Sequence, residues 1–371
     1  MLRRAYIDNY KAFSNFTFEP GGLQLIHGRN GSGKTSFFEA LDRLRAFVIE
    51  GQRTEQVFPE RTRTRWDRRT IQSFEVEVEG NGGRYVYRLE INHDLPARRS
   101  WVLSESLKFD GRPLFLDELG EIQLYRDNHS LGSKYSLGGS LSGLGSVPAR
   151  DVNTKLTWFK EWLDRAYFLQ LNPVAMVPES GGDATRLSRD GSNFASWYRH
   201  LSLEKAERSA AFADEIGEVL GIDSLILKKV SEDSRMLRAV MPAASGPTPP
   251  DALSFGFDEL SDGQRLLIVL YTLLHFAVEP GALIAIDDPV NFVAISEVQP
   301  FIIALSDRAE RAGAQVMIVS HHPEILDYMA PDRVIRFDRE ATGPVRVRPF
   351  TVDTTTGLKA SELAERGWDD E

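Results

Sequence analysis

The sequence predicts an α/β protein with a mainly parallel sheet core, joined by an antiparallel β lobe and a short helical insertion. Three observations predict it. Gly28 to Thr35 reads GRNGSGKT, set between the apolar run Leu23 to His27 and Ser36 to Ile49, where Phe37, Phe38, Leu41, Leu44, Phe47 and Val48 recur at helical spacing. Ala282 to Ile286 and Val316 to Val319 are further short apolar runs, ending in Asp287-Asp288 and Ser320-His321-His322. Ser73 to Glu79 and Arg84 to Ile91 alternate on either side of Gly80-Asn81-Gly82-Gly83, a hairpin pattern.

The chain has 371 residues, 42% of them apolar, enough for a substantial core. No stretch approaches the ~18–20 consecutive apolar residues of a membrane span. The start, MLRRAYIDNYKAF, has no long apolar run behind its arginines, so no secretory leader is expected. The absence of cysteine excludes disulfides and thiolate metal sites and fits a reducing, cytoplasmic setting. A net charge of −10 argues against a generally basic nucleic-acid coat, while leaving room for a local basic patch.

In chain order, Arg3 to Ile7 alternates as a strand and Phe13 to Phe18 can pair with it. Arg53, Arg61, Arg63, Arg65, Arg68 and Arg69, with Trp66 among them, form either a solvated, partly mobile connection or a contact surface for nucleic acid, nucleotide or an acidic partner. Residues 73–125 predict an antiparallel sheet. Ser130 to Ser146, rich in Gly and Ser, reads as a loop ordered on demand; its LGGS and LSGLGS strings mimic a phosphate-sensing signature without the strand or helix that one needs. Asn153 to Leu169, Asn193 to Leu201 and Leu203 to Leu220 predict helices, and Met236 to Met241 a strand. Ala243 to Asp251 (AASGPTPPD) is a loop, and Val345 to Phe350 the last predicted strand.

GRNGSGKT fits G-x-x-x-x-G-K-[ST] at every fixed position. A strand, a glycine-rich turn and a helix start make an anion cradle: backbone N–H groups and the positive helix end converge on phosphate. Gly28, Arg29, Asn30, Gly31, Ser32, Gly33, Lys34, Thr35 and Ser36 therefore predict a nucleoside triphosphate site. Lys34 reaches the β- and γ-phosphates, and Thr35 gives a hydroxyl to Mg²⁺. Asp287, ending an apolar strand, is the expected magnesium carboxylate, and Asp288 the group that orients or deprotonates water. Ser261, Gly263 and Gln264 open an apolar helix in LSDGQR, either as a second phosphate-binding turn or as an ordinary N-cap. His321 ends a third strand, where ligands sit in open α/β sheets.

These segments, in this order, resemble the ABC class of P-loop ATPases, and within it the SMC/RecF-like branch. Asn9-Tyr10-Lys11-Ala12-Phe13 before an N-G-S-G-K loop looks like that branch's opening; LSDGQ stands at the signature position and SHHPE at the switch histidine. The resemblance implies one compound ABC-type head over 1–371: a nucleotide-binding core at 1–50 and 250–350, a β lobe at 73–125, a helical insertion at 150–245 and a polar tail at 351–371. It implies ATP and Mg²⁺ as cofactors and a homodimer or higher oligomer. In that ATP sandwich Lys34 and Thr35 of one subunit face Ser261 and Gly263 of another, His321 senses the γ-phosphate, and Gln170 stands as the Q-loop glutamine. Two departures stand out. Asp287-Asp288 replaces the usual Asp-Glu, which implies slow hydrolysis, and VNFVAISEVQP lacks the usual D-loop aspartate pattern.

The insertion is too short for a long coiled coil, and the stretch after Phe350 too short and polar for a nuclease domain. The leading expectation is an ATPase whose ATP-driven assembly controls a separate effector, a nuclease or toxin, in antiphage or anti-plasmid defence. A RecF-like DNA-repair ATPase is the alternative, resting on Arg53 to Arg69. A transporter subunit is the third reading; the β lobe and the Asn9–Phe13 opening fit it poorly, and no membrane partner is expected.

Overall fold

The computed structural model describes residues 1–242, 253–329, 333–350 and 357–366. The loop expected at 243–251 falls outside them, as does most of the 351–371 tail. Six strands form the central sheet, in the order Tyr167–Leu169, Leu283–Asp287, Gln315–Val319, Leu23–His27, Val334–Asp338 and Arg346–Pro349. All neighbours are parallel except the last pair. LIAID and QVMIV are buried at every position, as strands covered on both faces must be.

Alternate residues feed two cores. Leu25, Ile284, Ile286, Val316 and Ile318 pack with the helices Asp262–Phe276 and Ile295–Ala312. Ile26, Leu283, Ala285, Met317 and Val319 pack with Phe37, Phe38 and Leu41 of the helix Lys34–Ile49 and with the second sheet. The parallel sheet is thus the middle layer, and the helix after the phosphate loop is clamped between two sheets.

That second sheet is antiparallel and has eight strands. It contains the strands expected at 73–125, beginning at Ile71, and also Leu2–Asp8, Phe16–Phe18 and Leu131–Ser136. Assigning residues 1–50 wholly to the nucleotide core is therefore corrected: the first two strands build the β lobe, and Leu23–His27 crosses to the parallel sheet. The hairpins close on Asn81-Gly82 and Asp110-Gly111, each with two consecutive positive φ values, the backbone that two-residue turns require.

Three further expectations change. The helix expected to reach Leu169 stops at Arg165, and Tyr167–Leu169 becomes the edge strand beside Leu283–Asp287; aromatic Tyr-Phe suits a strand face as well as a helix face. The insertion carries a small antiparallel sheet, Glu179–Ser180, Ser224–Lys229, Arg235–Val240 and Ser254–Gly256, as well as helices. The polar tail contains the helix Ala360–Arg366, held by Ser361, whose N–H and hydroxyl donate to the Asp327 carboxylate at 2.9 and 3.0 Å, with Leu363 buried.

The Gly/Ser loop is also tied down. Its LSGLGS string binds an anion, but an internal one. Ser142 Oγ and the N–H groups of Gly143 and Leu144 donate to buried Glu105 at 2.7, 2.8 and 3.3 Å, and Tyr87 Oη donates at 2.8 Å. Burial nevertheless pushes the Glu105 carboxyl up to about 7, opposed by those hydrogen bonds and reinforced by Asp117. A carboxyl with a raised folded-state pKa stabilises fully below its ordinary value, and that stability is lost as pH rises through about 7. In Glu105→Gln, which mimics the protonated acid, urea unfolding at pH 5 and pH 8 should shift the difference from wild type by about 1–3 kcal/mol in the variant's favour at the higher pH. A pH-independent difference would remove this account.

Candidate functional site

The site is set by strand register. Parallel pairing places Asp287 beside Val319 and Val319 beside Ile26, so three chain segments leave the sheet together: Asp287-Asp288, Ser320-His321 and His27-Gly28. All lie at the carboxyl ends of their strands, where open α/β sheets bind ligands.

The phosphate loop turns with φ of 141° at Gly28, 83° at Gly31 and 98° at Gly33. A Cβ on Gly28 would meet the Phe337 carbonyl oxygen at 2.2 Å, and one on Gly33 would meet Val345 Cγ2 at 2.8 Å. Two of these glycines are thus required by close approach as well as by backbone conformation. Lys34 opens the helix, is buried, and donates from Nζ to the carbonyls of Gly28 and Arg29 at 2.6 and 3.0 Å. Burial lowers its ammonium pKa, while Asp288 and Asp287 oppose the shift.

Both acids are shifted upward. Asp287 is raised by burial and by Asp288, against a hydrogen bond from the Thr35 hydroxyl and the charges of Arg189 and Lys34. Asp288, at φ 49°, is raised by burial, against Lys34, the Asn291 side chain and the His321 backbone N–H. Asp287 Oδ2 and Asp288 Oδ1 are buried and lack a protein partner. A hydroxyl and two carboxylates with spare oxygens fit a hard, oxygen-seeking cation such as Mg²⁺. The described residues hold no cluster of three or more His, Asp or Glu placed to hold a metal ion. His321 has its pKa lowered by burial and by Lys34, against the charge of Asp287.

A cavity of about 670 Å³ joins Asn30, Gly31, Gly33, Lys34, Thr35, Ser36, Asp287, Asp288 and His321. Its lining also includes Lys11, Arg61, Arg63, Arg65, Trp66 and Arg339. The arginine-rich stretch thus borders the cavity in part: Arg63 is buried and Arg69 pairs with Asp8 and Asp67 at 2.6 and 2.5 Å, while Arg53, Arg61, Arg65 and Arg68 are exposed. Gln170 lies directly after the edge strand, beside Thr35 and Arg189 in a neighbouring cavity. Ser261, Gly263 and Gln264 are not brought to the phosphate loop of their own chain. Ser261 is exposed and caps the helix Asp262–Phe276 reciprocally with Gln264, and a Cβ on Gly263 would meet the Phe292 carbonyl oxygen at 2.6 Å.

Residues 4–110 match a model described as "AAA domain", and residues 178–327 one described as "AAA domain, putative AbiEii toxin, Type IV TA system". The Smc head bound to the C-winged helix domain of ScpA superposes with a TM-score of 0.55 at 11% identity, covering 96% of this chain and 99% of that one. An Smc head with an extended coiled coil, bound to the C-terminal domain of ScpA derived from Pyrococcus furiosus, gives 0.51 at 12%, covering 98% of each. The chain thus carries two AAA-domain matches and shares the fold of the Smc heads. Curated relatives of the chain include two named "Putative peptide import ATP-binding protein", from Brucella ovis and Brucella abortus, each 26% identical over 188 residues. The match spans 44% of the chain and 58% of each relative's length. No helix among the described residues is long and apolar enough to cross a membrane.

Of the residues lining the cavity, sequence reasoning missed Arg339 and assigned no site role to Lys11; Arg189, whose charge acts on Asp287, was missed too. Arg339 follows the Val334–Asp338 strand and carries no motif. Lys11 sat in plain view in the opening segment. The loop's glycines give a test. Gly28→Ala should cost about 2–4 kcal/mol in denaturant unfolding through clash and strain, whereas Gly31→Ala, with open space at Cβ, should cost about 1 kcal/mol. Equal losses would remove the close-approach argument.

Proposed function

We propose that this ATPase binds Mg·ATP, hydrolyses it slowly, and completes its site only when a second copy docks. One observation carries the reading. The signature turn, Ser261 to Gln264, is a helix start with Ser261 exposed and Asp262, Gly263 and Gln264 half-buried, lying outside the cavity that holds Lys34, Thr35, Asp287, Asp288 and His321. The first-turn amides of such a helix form an anion site, and here they serve no phosphate loop of their own chain. Their surroundings are apolar and open: Phe292 is 45% exposed, Ile295 67% and Val174 70%. Arg265 ties that face together by donating to the Pro173 carbonyl at 2.8 Å. Large exposed side chains grouped in this way suit a surface that a partner covers.

Bound Mg·ATP supplies a γ-phosphoryl group open to attack by water. Thr35 and Asp287 would hold the ion, and Lys34, freed from the Gly28 and Arg29 carbonyls, would neutralise phosphate charge. Asp288 keeps one oxygen free to accept a proton, and its raised pKa moves it toward the range of a working base. Its side chain is one methylene shorter than glutamate, so it reaches less far, and long-lived ATP-bound dimers follow. The AbiEii description supports a role in prokaryotic defence. ScpA docked on Smc heads supports control of a separate partner protein, which on this reading is an effector nuclease or toxin.

Fluorescent-ATP binding and light scattering test the scheme together. Lys34→Ala should lose both binding and ATP-dependent association. Ser261→Arg should bind ATP as a monomer and fail to associate. Asp288→Asn should bind, dimerise and cut turnover at least about 100-fold, the scale of losing a general base. ATP-driven association of the Ser261→Arg variant at wild-type level would refute the two-copy site.

A further inference from the structure

The turn at Thr64 to Asp67 is built rigidly. Lys11 N–H donates to the Thr62 carbonyl at 2.6 Å, Thr64 N–H to Asn9 Oδ1 at 3.2 Å, and Thr64 Oγ1 to the Phe13 carbonyl at 3.2 Å. Arg63 is buried and donates from Nη2 to the carbonyls of Asp67 and Arg69 at 3.2 and 2.6 Å. Thr62, Arg63 and Thr64 are thus inward anchors, and between them and Asp67 the chain presents Trp66, 46% exposed, to the phosphate-loop cavity. Leaving so large an apolar ring in water is unfavourable, so its exposure on a fixed turn needs a reason.

The ring is also tied to the phosphate loop. Arg339 places its guanidinium carbon 5.4 Å from the Trp66 ring centroid and donates to the Gly31 carbonyl at 3.4 Å and the Gly343 carbonyl at 2.8 Å. One side chain therefore spans from the aromatic ring to the anion cradle.

We propose that Trp66, backed by Arg339, is the base-stacking platform of the nucleotide site. The inference rests on the nucleotide reading above and adds to it the part of the ligand that the phosphate loop does not read. An aromatic face recognises the π-surface that every base offers, and an arginine layered on it adds cation–π attraction. The platform should therefore favour nucleoside triphosphates over bare tripolyphosphate, and purines over pyrimidines through ring area. It should separate ATP from GTP only weakly.

Calorimetric titration of the full chain with Mg²⁺ and ATP, GTP, CTP or tripolyphosphate tests this. Trp66→Ala should weaken ATP and GTP by about 5- to 100-fold, the range for stacking one base, and leave tripolyphosphate unchanged. Trp66→Phe should recover most of the loss. Unliganded melting curves confirm that both variants fold. An unchanged ATP affinity, or equal losses for ATP and tripolyphosphate, would overturn the platform. If wild type bound neither ligand, the nucleotide reading itself would fall, and the platform with it.

Discussion

The site depends on a register: Ile26 beside Val319, and Val319 beside Asp287. A parallel sheet offers no hairpin to fix its alignment, so pairing is set by what the strands bury. Ile26, Ala285, Met317 and Val319 must face the core that holds the first helix, while Leu25, Ile286 and Ile318 must face the other. A slip of one residue would exchange every one of these faces. The apolar runs therefore position Lys34, Asp287 and His321 by what they bury, with Val319 itself lining the cavity.

Within that frame, charge is concentrated where water is scarce. Burial is the largest cause of the shifts at Lys34, Asp287, Asp288 and His321, and in each it disfavours the charged form. Mutual attraction between the ammonium and the acids offsets only part of this. A structural ion pair would close with direct hydrogen bonds on every oxygen. Here two carboxylate oxygens stay buried without a protein partner and the ammonium rests on backbone carbonyls. Such incompletely satisfied buried groups are what the proposed cation and phosphate would complete.

Much of this was legible in the sequence because its signals are local. GRNGSGKT carries its own geometry, LIAID and VMIVSHH carry theirs, and FEVEVE declares a strand by alternation. What escaped depends on distant pairing. Nothing in Leu2–Asp8 says that it joins Ile71–Gly80 instead of Leu23–His27, since both partners would accept the same short alternating strand. Tyr167–Leu169 was hidden because helical spacing runs through it, and only the open edge of Leu283–Asp287 makes it a strand. The arginine run looked like a solvated stretch until Asn9, Lys11 and Phe13 anchored it. Arg339 had no signal at all: its importance comes from lying near Gly31 and Trp66, far away in sequence.

The two glycine-serine strings show why motif and context must be read together. In LSGLGS the backbone amides converge on an anion, but Glu105 already occupies them, so the turn serves to pin a loop onto the β lobe. In LSDGQ the same chemistry begins a long apolar helix. There Ser261 and Gln264 cap each other, and the close approach of the Phe292 carbonyl admits nothing larger than glycine at position 263. A helix of 15 residues adds its dipole to that turn, which the short string at 142–145 lacks. Composition gave both strings the same appearance. The difference is that Glu105 draws one turn onto the β lobe, whereas the other opens a long helix with Ser261 exposed at its start.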